Sequence, residues 1–155
     1  EVEFVPESFQ VCFDAMAKEY CYYVITTKEH DVFKANYTYQ IPDELNIEAI
    51  KEGCKYFEGT HDFTTFSSAK STVKGSKVRT LFKVKCNQKE NEYEFIFRGD
   101  GFLYNMVRIL VGALIDIGRG KIMPEDIPNL IEKKDRTLVG DTAPPHGLYL
   151  WKVFY

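Results

Sequence analysis

A single arginine lies inside an otherwise apolar helical segment, and this limits what the chain can fold into more than any other feature. Such a segment is typical of a buried helix. Arg108 keeps its proton, so a buried guanidinium needs a paired anion or several acceptors. Asn105 and Gly112 share its helical face, whereas Asp116, two turns further on, is poorly placed to pair with it. The apolar residues recurring at helical spacing are Phe102, Met106, Ile109, Leu110, Ala113, Leu114 and Ile117.

Two interpretations of Arg108 follow from the residues alone, and both stay open at this point. In the first, the aliphatic stem packs while the head group reaches solvent or backbone carbonyls. In the second, the guanidinium binds a carboxylate carried by another part of the protein. If the second holds, Arg108→Met is expected to cost the isolated chain little stability, because it removes an uncompensated charge.

Length and charge restrict the class of protein. The 155 residues are enough for one domain with a substantial core, and we assign residues 1–155 to a single domain. A net charge of −3 disfavours a non-specific nucleic-acid binder, although it leaves room for a local basic cleft. Aromatic residues make up 15% of the chain, and they serve either in strands and cores or in stacking on unpaired bases.

Neither a membrane span nor a metal site is predicted. No apolar run approaches the roughly 20 residues that a transmembrane helix needs. The three histidines are scattered, and the four cysteines form no C-x-x-C pair, which argues against both zinc and a disulfide framework. We therefore expect a cytoplasmic protein with no metal and no cofactor. The cysteines are Cys12, Cys21, Cys54 and Cys86.

The pattern of elements predicts an α+β fold with a mostly antiparallel sheet and helices packed on one face. Asn46 is a suitable N-cap for a helix that ends before Gly59. Residues 59–66 are expected to be a turn in which Asp62 caps backbone amides. Strands are predicted at 19–26, 78–86, 92–98 and 148–155, with a turn at 87–90, and helices at 46–57, 102–117 and 124–134.

Basic residues in loops and at helix ends are the candidates for phosphate contacts. Singly, each is typical of solvated surface, but on one side of the fold they could hold an RNA backbone. His61 and Asp62 suggest a hydrolase pair, which is disfavoured because adjacent residues rarely face each other and no G-x-S-x-G elbow is present. The candidate RNA-binding residues are Lys70, Lys74, Lys77, Arg79, Arg119 and Lys121.

Several long segments resemble the TruA-type tRNA pseudouridine synthases, and they occur in the family's order. They are F-L-Y-N-M-V-R-I-L-V-G-A-L-I-D-I-G-R-G-K at 102–121, G-T-H-D-F-T-T-F-S-S-A-K-S at 59–71, T-A-P-P-H-G-L-Y-L at 142–150 and F-D-A-M-A-K-E-Y-C-Y-Y-V-I at 13–25. The resemblance implies a pseudouridine synthase fold and cofactor-free isomerisation of uridine to pseudouridine in the tRNA anticodon stem-loop. It also implies tRNA as partner and usually a homodimer.

The same resemblance assigns roles to three residues. Tyr20 matches the active-site tyrosine that stacks on the target base, Arg108 the helix arginine that pairs with the catalytic aspartate, and Leu148 the apolar residue that lines the uracil pocket. That aspartate lies in an R-T-D-x-G-V-H motif, which is missing here, since Arg79-Thr80 is followed by Leu81. We therefore expect the chain to be the C-terminal half of such an enzyme and to be inactive alone.

One departure concerns the family's F-H-A-R-F segment, which reads Phe9-Gln10-Val11-Cys12-Phe13 here. Loss of the histidine and arginine removes expected RNA contacts and puts the substrate range in doubt. The alternative function is a non-catalytic RNA-binding or dimerisation module.

Overall fold

The computed structural model describes residues 16–68 and 75–155. The strands are β1 (Ala17–Thr26), β2 (Tyr39–Ile41), β3 (Gly59–Asp62), β4 (Val78–Lys89), β5 (Glu92–Gly99) and β6 (Leu148–Phe154). The α-helices are α1 (Ile47–Phe57), α2 (Met106–Gly118) and α3 (Ile127–Lys133). Short 3₁₀ turns lie at Thr64–Phe66, Pro124–Asp126, Arg136–Leu138 and Pro145–Gly147.

These strands form one sheet in the order β2-β1-β5-β4-β3, with β6 also pairing with β1. The β1–β5, β1–β6, β3–β4 and β4–β5 pairs are antiparallel, and only β1–β2 is parallel. The predicted α+β fold with a mostly antiparallel sheet is therefore confirmed. Strand β1 pairs with three strands, more than any other strand in the part of the chain that the structure describes.

Side chains alternate between the two faces of β1, as period-two strand geometry requires. Tyr22 and Val24 are fully buried in one core cluster with Phe95 and Phe97 of β5 and with residues of α1 and α2. The opposite face of β1 carries Glu19, whose carboxylate accepts from Arg98 at 2.9 Å. Helix α1 begins as predicted, since the Asn46 side chain accepts from the Ala49 amide at 3.2 Å.

Three predicted boundaries are wrong. Helix α2 begins at Met106 rather than at 102, because Asn105 adopts a left-handed conformation (φ 60°) that an α-helix cannot contain. The predicted turn at 59–66 begins with strand β3, since Gly59, at φ 106°, turns the chain directly from α1 into pairing with β4. Strand β4 continues to Lys89, so the turn is shorter than expected.

The cysteines of the described residues are free thiols, and all three are buried. Burial raises the pKa of Cys21 to about 11 and that of Cys54 to about 12, so neither is a ready nucleophile at neutral pH. Across residues 16–68 and 75–155, each helix is too short or too polar to cross a membrane.

Candidate active site

A cavity of about 280 Å³ lies at the N-terminal end of α2. Three separate parts of the chain form its walls: strand β1, the start of β6, and the loop that leads into α2 together with the first turn of that helix. It therefore brings together Tyr20, Arg108 and Leu148, which are far apart in sequence. The lining residues are Tyr20, Phe102, Leu103, Tyr104, Asn105, Met106, Val107, Arg108 and Leu148.

Sheet register places Tyr20 and Leu148 on the same side of the sheet. Leu148 is opposite Tyr22 in the β1–β6 ladder, two residues along β1 from Tyr20. The Tyr20 ring meets Phe102 edge to face, with the centroids 5.0 Å apart. Burial raises the pKa of Tyr20, so its hydroxyl is protonated at neutral pH. The cavity thus has an aromatic wall held by packing and an apolar wall from Leu148.

Arg108 is half-buried and uses neutral acceptors. Its Nε donates to the Ala143 carbonyl at 2.7 Å, and its Nη1 donates to Asn105 Oδ1 at 3.1 Å. Within residues 16–68 and 75–155 it forms no ion pair, and Asp116 instead accepts from Arg119. A guanidinium has five N–H donors, so two hydrogen bonds leave capacity for a carboxylate. Arg108 is therefore positioned beside the cavity with donors to spare.

The segment that precedes β6 is docked tightly on α2. The Ala143 amide donates to the Arg108 carbonyl at 3.1 Å, and the Tyr22 hydroxyl donates to the Pro144 carbonyl at 2.5 Å. A Cβ on Gly112 would stand only 2.3 Å from the Asp141 carbonyl oxygen. The missing side chain of Gly112 thus lets this segment approach the helix backbone closely.

Comparison with known proteins identifies the family. A family model described as tRNA pseudouridine synthase matches residues 54–155, which is well over half of the chain. The chain belongs to the tRNA pseudouridine synthase family. It is 53% identical over 155 residues to tRNA pseudouridine synthase A of Oceanobacillus iheyensis and 44% identical over 155 residues to that of Bacillus subtilis. Both alignments include 100% of this chain, but they cover only 61% and 62% of the full length of the two relatives.

Arg79, one of the basic residues predicted to bind RNA, lies close to the cavity of this synthase-family chain. Its Nε is 3.4 Å from where a Cβ of Gly101 would stand, directly before Phe102 in the cavity wall. Its Nη1 donates to the Ser76 and Val78 carbonyls, at 2.9 and 2.8 Å. The guanidinium is therefore held in place at this end of α2 by neutral groups.

Lys77 and Ser68 each form a main-chain hydrogen bond to another part of the fold. The Lys77 carbonyl accepts from the Phe63 amide at 3.0 Å, and the Ser68 amide donates to the carbonyl of Tyr104 in the cavity wall at 3.0 Å. Lys70 and Lys74 lie outside the described residues. Ser68 thus contacts the cavity wall through its backbone.

Arg119 and Lys121 lie at the other end of α2. Arg119 follows Arg108 by 11 residues, which is about 16 Å along a helix axis. Its Nη2 is 2.6 Å from Asp43 Oδ2, and its Nε donates to the same oxygen at 2.7 Å. The exposed Lys121 borders a separate cavity of about 190 Å³ together with Arg119. The structure therefore does not bring these two residues to the cavity that contains Tyr20.

His61 and Asp62 contact different partners. His61 Nε2 is 2.9 Å from the Glu58 carbonyl oxygen. Asp62 accepts from the Thr64 amide at 3.0 Å, which confirms the predicted capping role. Asp62 also lies 3.8 Å from Lys134 Nζ. Neither residue lines the cavity, so the geometry gives no support to the hydrolase interpretation.

Two contributions to the site were missed by sequence reasoning. One is the Tyr22 hydroxyl, whose hydrogen bond to the Pro144 carbonyl joins residues that are 122 positions apart in the sequence. The Ala143 carbonyl, which accepts from Arg108, was missed because a main-chain acceptor has no sequence signal. The two consecutive prolines at 144 and 145 followed by Gly147 were the available clue, since they indicate a rigid segment that packs closely on something.

Proposed function

We propose that Tyr20, Arg108 and Leu148 form part of a tRNA pseudouridine synthase site that isomerises uridine to pseudouridine in the anticodon stem-loop. The observation that carries the proposal is the meeting of these three residues at one cavity. Its volume, about 280 Å³, is near the lower end of the ~300–1,000 Å³ usual for small-ligand pockets. That size suits one flipped-out base rather than a duplex.

Each residue has a role that matches its surroundings. Tyr20 stacks on the flipped uracil, and Leu148 packs against it, so that the base is held while it is detached. Arg108 orients the nucleophilic aspartate through its remaining N–H donors. The carboxylate attacks C1′ as the N1–C1′ bond breaks, and the detached uracil rotates. C5 then attacks C1′ and displaces the carboxylate, which returns to its free form. C5 then loses its hydrogen to solvent and N1 gains a proton, so the reaction needs no oxidant, metal or cofactor.

The aspartate itself is assigned to a part of the protein beyond these 155 residues, and the chain to the C-terminal half of the enzyme. Two observations support this. Arg108 has no carboxylate partner in the part of the chain that the structure describes. The chain also spans only about six tenths of the length of its relatives. On this basis the 155-residue chain alone is inactive.

The proposal extends to partners and location. We assign tRNA contacts to Lys70, Lys74, Lys77 and Arg79, of which Arg79 lies beside the cavity, and we assign contacts farther from the cavity to Arg119 and Lys121. We further propose that the complete protein is a homodimer and that it acts in the cytoplasm, where buried free thiols such as Cys54 persist. Analytical sedimentation of the complete protein tests whether it is a homodimer.

The decisive experiment measures tritium release from tRNA that contains [5-³H]uridine. The 155-residue chain and the complete protein encoded by its reading frame are compared, with Arg108→Met in the complete protein as the inactive control. We expect release only from the unmodified complete protein. Tritium release by the 155-residue chain alone would contradict the assignment of the nucleophilic aspartate to another part of the protein. A complete protein that binds tRNA tightly without release would instead favour the non-catalytic RNA-binding module.

A further inference from the structure

We propose that Tyr22 is a positioning residue: its hydroxyl fixes the segment from Ala143 to Leu148, and that segment sets the placement of Arg108 and Leu148 at the cavity. The inference rests on the proposed function for its catalytic consequence. Its structural part concerns only contacts within the chain and can be tested without activity.

The first step is the contact between Tyr22 and the segment. Tyr22 is 0% exposed, and its hydroxyl donates to the Pro144 carbonyl at 2.5 Å. Burial raises the pKa of Tyr22, so the hydroxyl remains a donor. Gly147 packs directly on the ring, since a Cβ there would stand 2.9 Å from Cε1 and Cζ. The ring and the hydroxyl thus hold two points of one short segment.

The second step links the segment to Arg108. Ala143 precedes Pro144, and its carbonyl accepts from Arg108 Nε at 2.7 Å while its amide donates to the Arg108 carbonyl at 3.1 Å. Proline at 144 and 145 restricts the backbone between these contacts. A shift of the Pro144 carbonyl therefore moves the acceptor that orients the guanidinium.

The third step links the segment to the opposite wall of the cavity. Leu148 pairs with Tyr22 in the β1–β6 ladder. Tyr22 therefore holds the segment through its backbone at Leu148, through its ring at Gly147 and through its hydroxyl at Pro144. Among these contacts, the hydroxyl can be removed without changing the ring or the strand.

A matched control separates positioning from ordinary core packing. Tyr93 is 3% exposed and belongs to the same core cluster as Tyr22. Its hydroxyl contacts the Leu45 carbonyl at 3.5 Å and accepts from Gln88 at 3.0 Å, and Tyr93 is not part of the cavity wall. Tyr22→Phe and Tyr93→Phe each remove one buried hydroxyl, so both are expected to lower the melting temperature by a few degrees.

The experiment measures hydrogen exchange and steady-state kinetics on the complete protein. For Tyr22→Phe we expect amide exchange in a peptide covering 141–148 to speed up about tenfold. We also expect kcat to fall about tenfold, with KM for tRNA within a factor of two. For Tyr93→Phe we expect the exchange rate of this peptide and kcat each to stay within a factor of two of the unmodified protein.

Equal effects of the two variants on exchange and on kcat would overturn the inference, as would faster exchange with an unchanged kcat. If the unmodified complete protein forms no pseudouridine, the proposed function fails. Faster exchange confined to Tyr22→Phe then still supports the structural part.

Discussion

Arg108 and Ala143 hold each other through two hydrogen bonds that run in opposite directions. Arg108 Nε donates to the Ala143 carbonyl at 2.7 Å, and the Ala143 amide donates to the Arg108 carbonyl at 3.1 Å. The guanidinium is therefore held by neutral hydrogen-bond acceptors rather than loose in solvent. The two interpretations of this arginine are compatible, since its Nε has a structural partner while other donors remain for a carboxylate.

This pairing changes the expected effect of Arg108→Met. The sequence alone predicted little loss of stability, but the substitution leaves the carbonyl of the buried Ala143 and the Asn105 amide oxygen without their donor. We expect a loss of about 1–3 kcal/mol in the free energy of unfolding, measured by urea denaturation of the 155-residue chain. In the complete protein we expect tritium release to fall roughly 100-fold or more.

Arg136→Met is the control for that prediction. Arg136 donates to the Val139 carbonyl at 2.9 Å and to Thr142 Oγ1 at 3.2 Å, and it is absent from the cavity wall. It is expected to lose similar stability while keeping most activity. Unchanged stability in Arg108→Met would restore the sequence-based expectation, and comparable activity in the two variants would contradict the assigned role.

Tyr20→Leu tests the aromatic wall. Stacking of a base on an aromatic side chain contributes about 1–3 kcal/mol, so the loss of the ring is expected to slow tritium release by the complete protein roughly 10- to 100-fold. Tyr149→Leu is the control, because Tyr149 contacts Tyr23 on the opposite face of the sheet. A reduction of the same size in both variants would mean that the sheet, rather than the stacking surface, had been damaged.

Local patterns predicted β1, α1 and most of the β4–β5 hairpin, because alternation, an N-cap and a turn between two strand-like runs act over a few residues. The same patterns failed at the start of α2. The left-handed backbone of Asn105 makes the helix begin at Met106, four residues later than the apolar periodicity predicts. Nothing in the spacing of Phe102 and Met106 distinguishes a helical turn from this loop. The helix start therefore needed tertiary information.

The candidate site, like the fold, was predictable from the sequence only in part. Resemblance to the family named Tyr20, Arg108 and Leu148, and the fold brings all three to one cavity. The direction of α2 and the pairing of the strands decide which basic residues lie beside these three. Clusters of basic residues in the sequence predict neither the direction nor the pairing. Arg79 and Arg119 looked alike in sequence, yet they lie near opposite ends of this helix.

Their separation predicts different salt dependence of tRNA binding. Arg79 is held by carbonyl oxygens beside the cavity, whereas Arg119 is neutralised by Asp43 at 2.6 Å. For Arg79→Ala we expect the slope of log K against log salt to decrease in magnitude by about 1, as for loss of one phosphate contact. A smaller change is expected for Arg119→Ala. Filter binding across a salt series measures both slopes. A larger change in slope for Arg119→Ala than for Arg79→Ala would contradict the assignment of the tRNA contact to Arg79 beside the cavity.

Gly112→Ala tests whether the docking of the 141–143 backbone on α2 supports the site. An added Cβ would lie 2.3 Å from the Asp141 carbonyl oxygen, so the backbone next to Ala143 must move. Overpacking of this kind costs about 1–3 kcal/mol, which outweighs the gain of up to about 1 kcal/mol in helix propensity. We expect a lower melting temperature together with a lower kcat, because the acceptor of Arg108 moves as well.

Gly53→Ala in α1 is the comparison for Gly112→Ala. Its added Cβ would meet the tip of the Ile117 side chain at 2.9 Å, which can rotate away, rather than a backbone atom. It is expected to change stability by less than Gly112→Ala and to leave kcat unchanged. If both substitutions lowered kcat equally, the close contact at Gly112 would have no special connection to the cavity. If Gly112→Ala were neutral in stability and in kcat, the segment before β6 would be free to shift without disturbing Arg108.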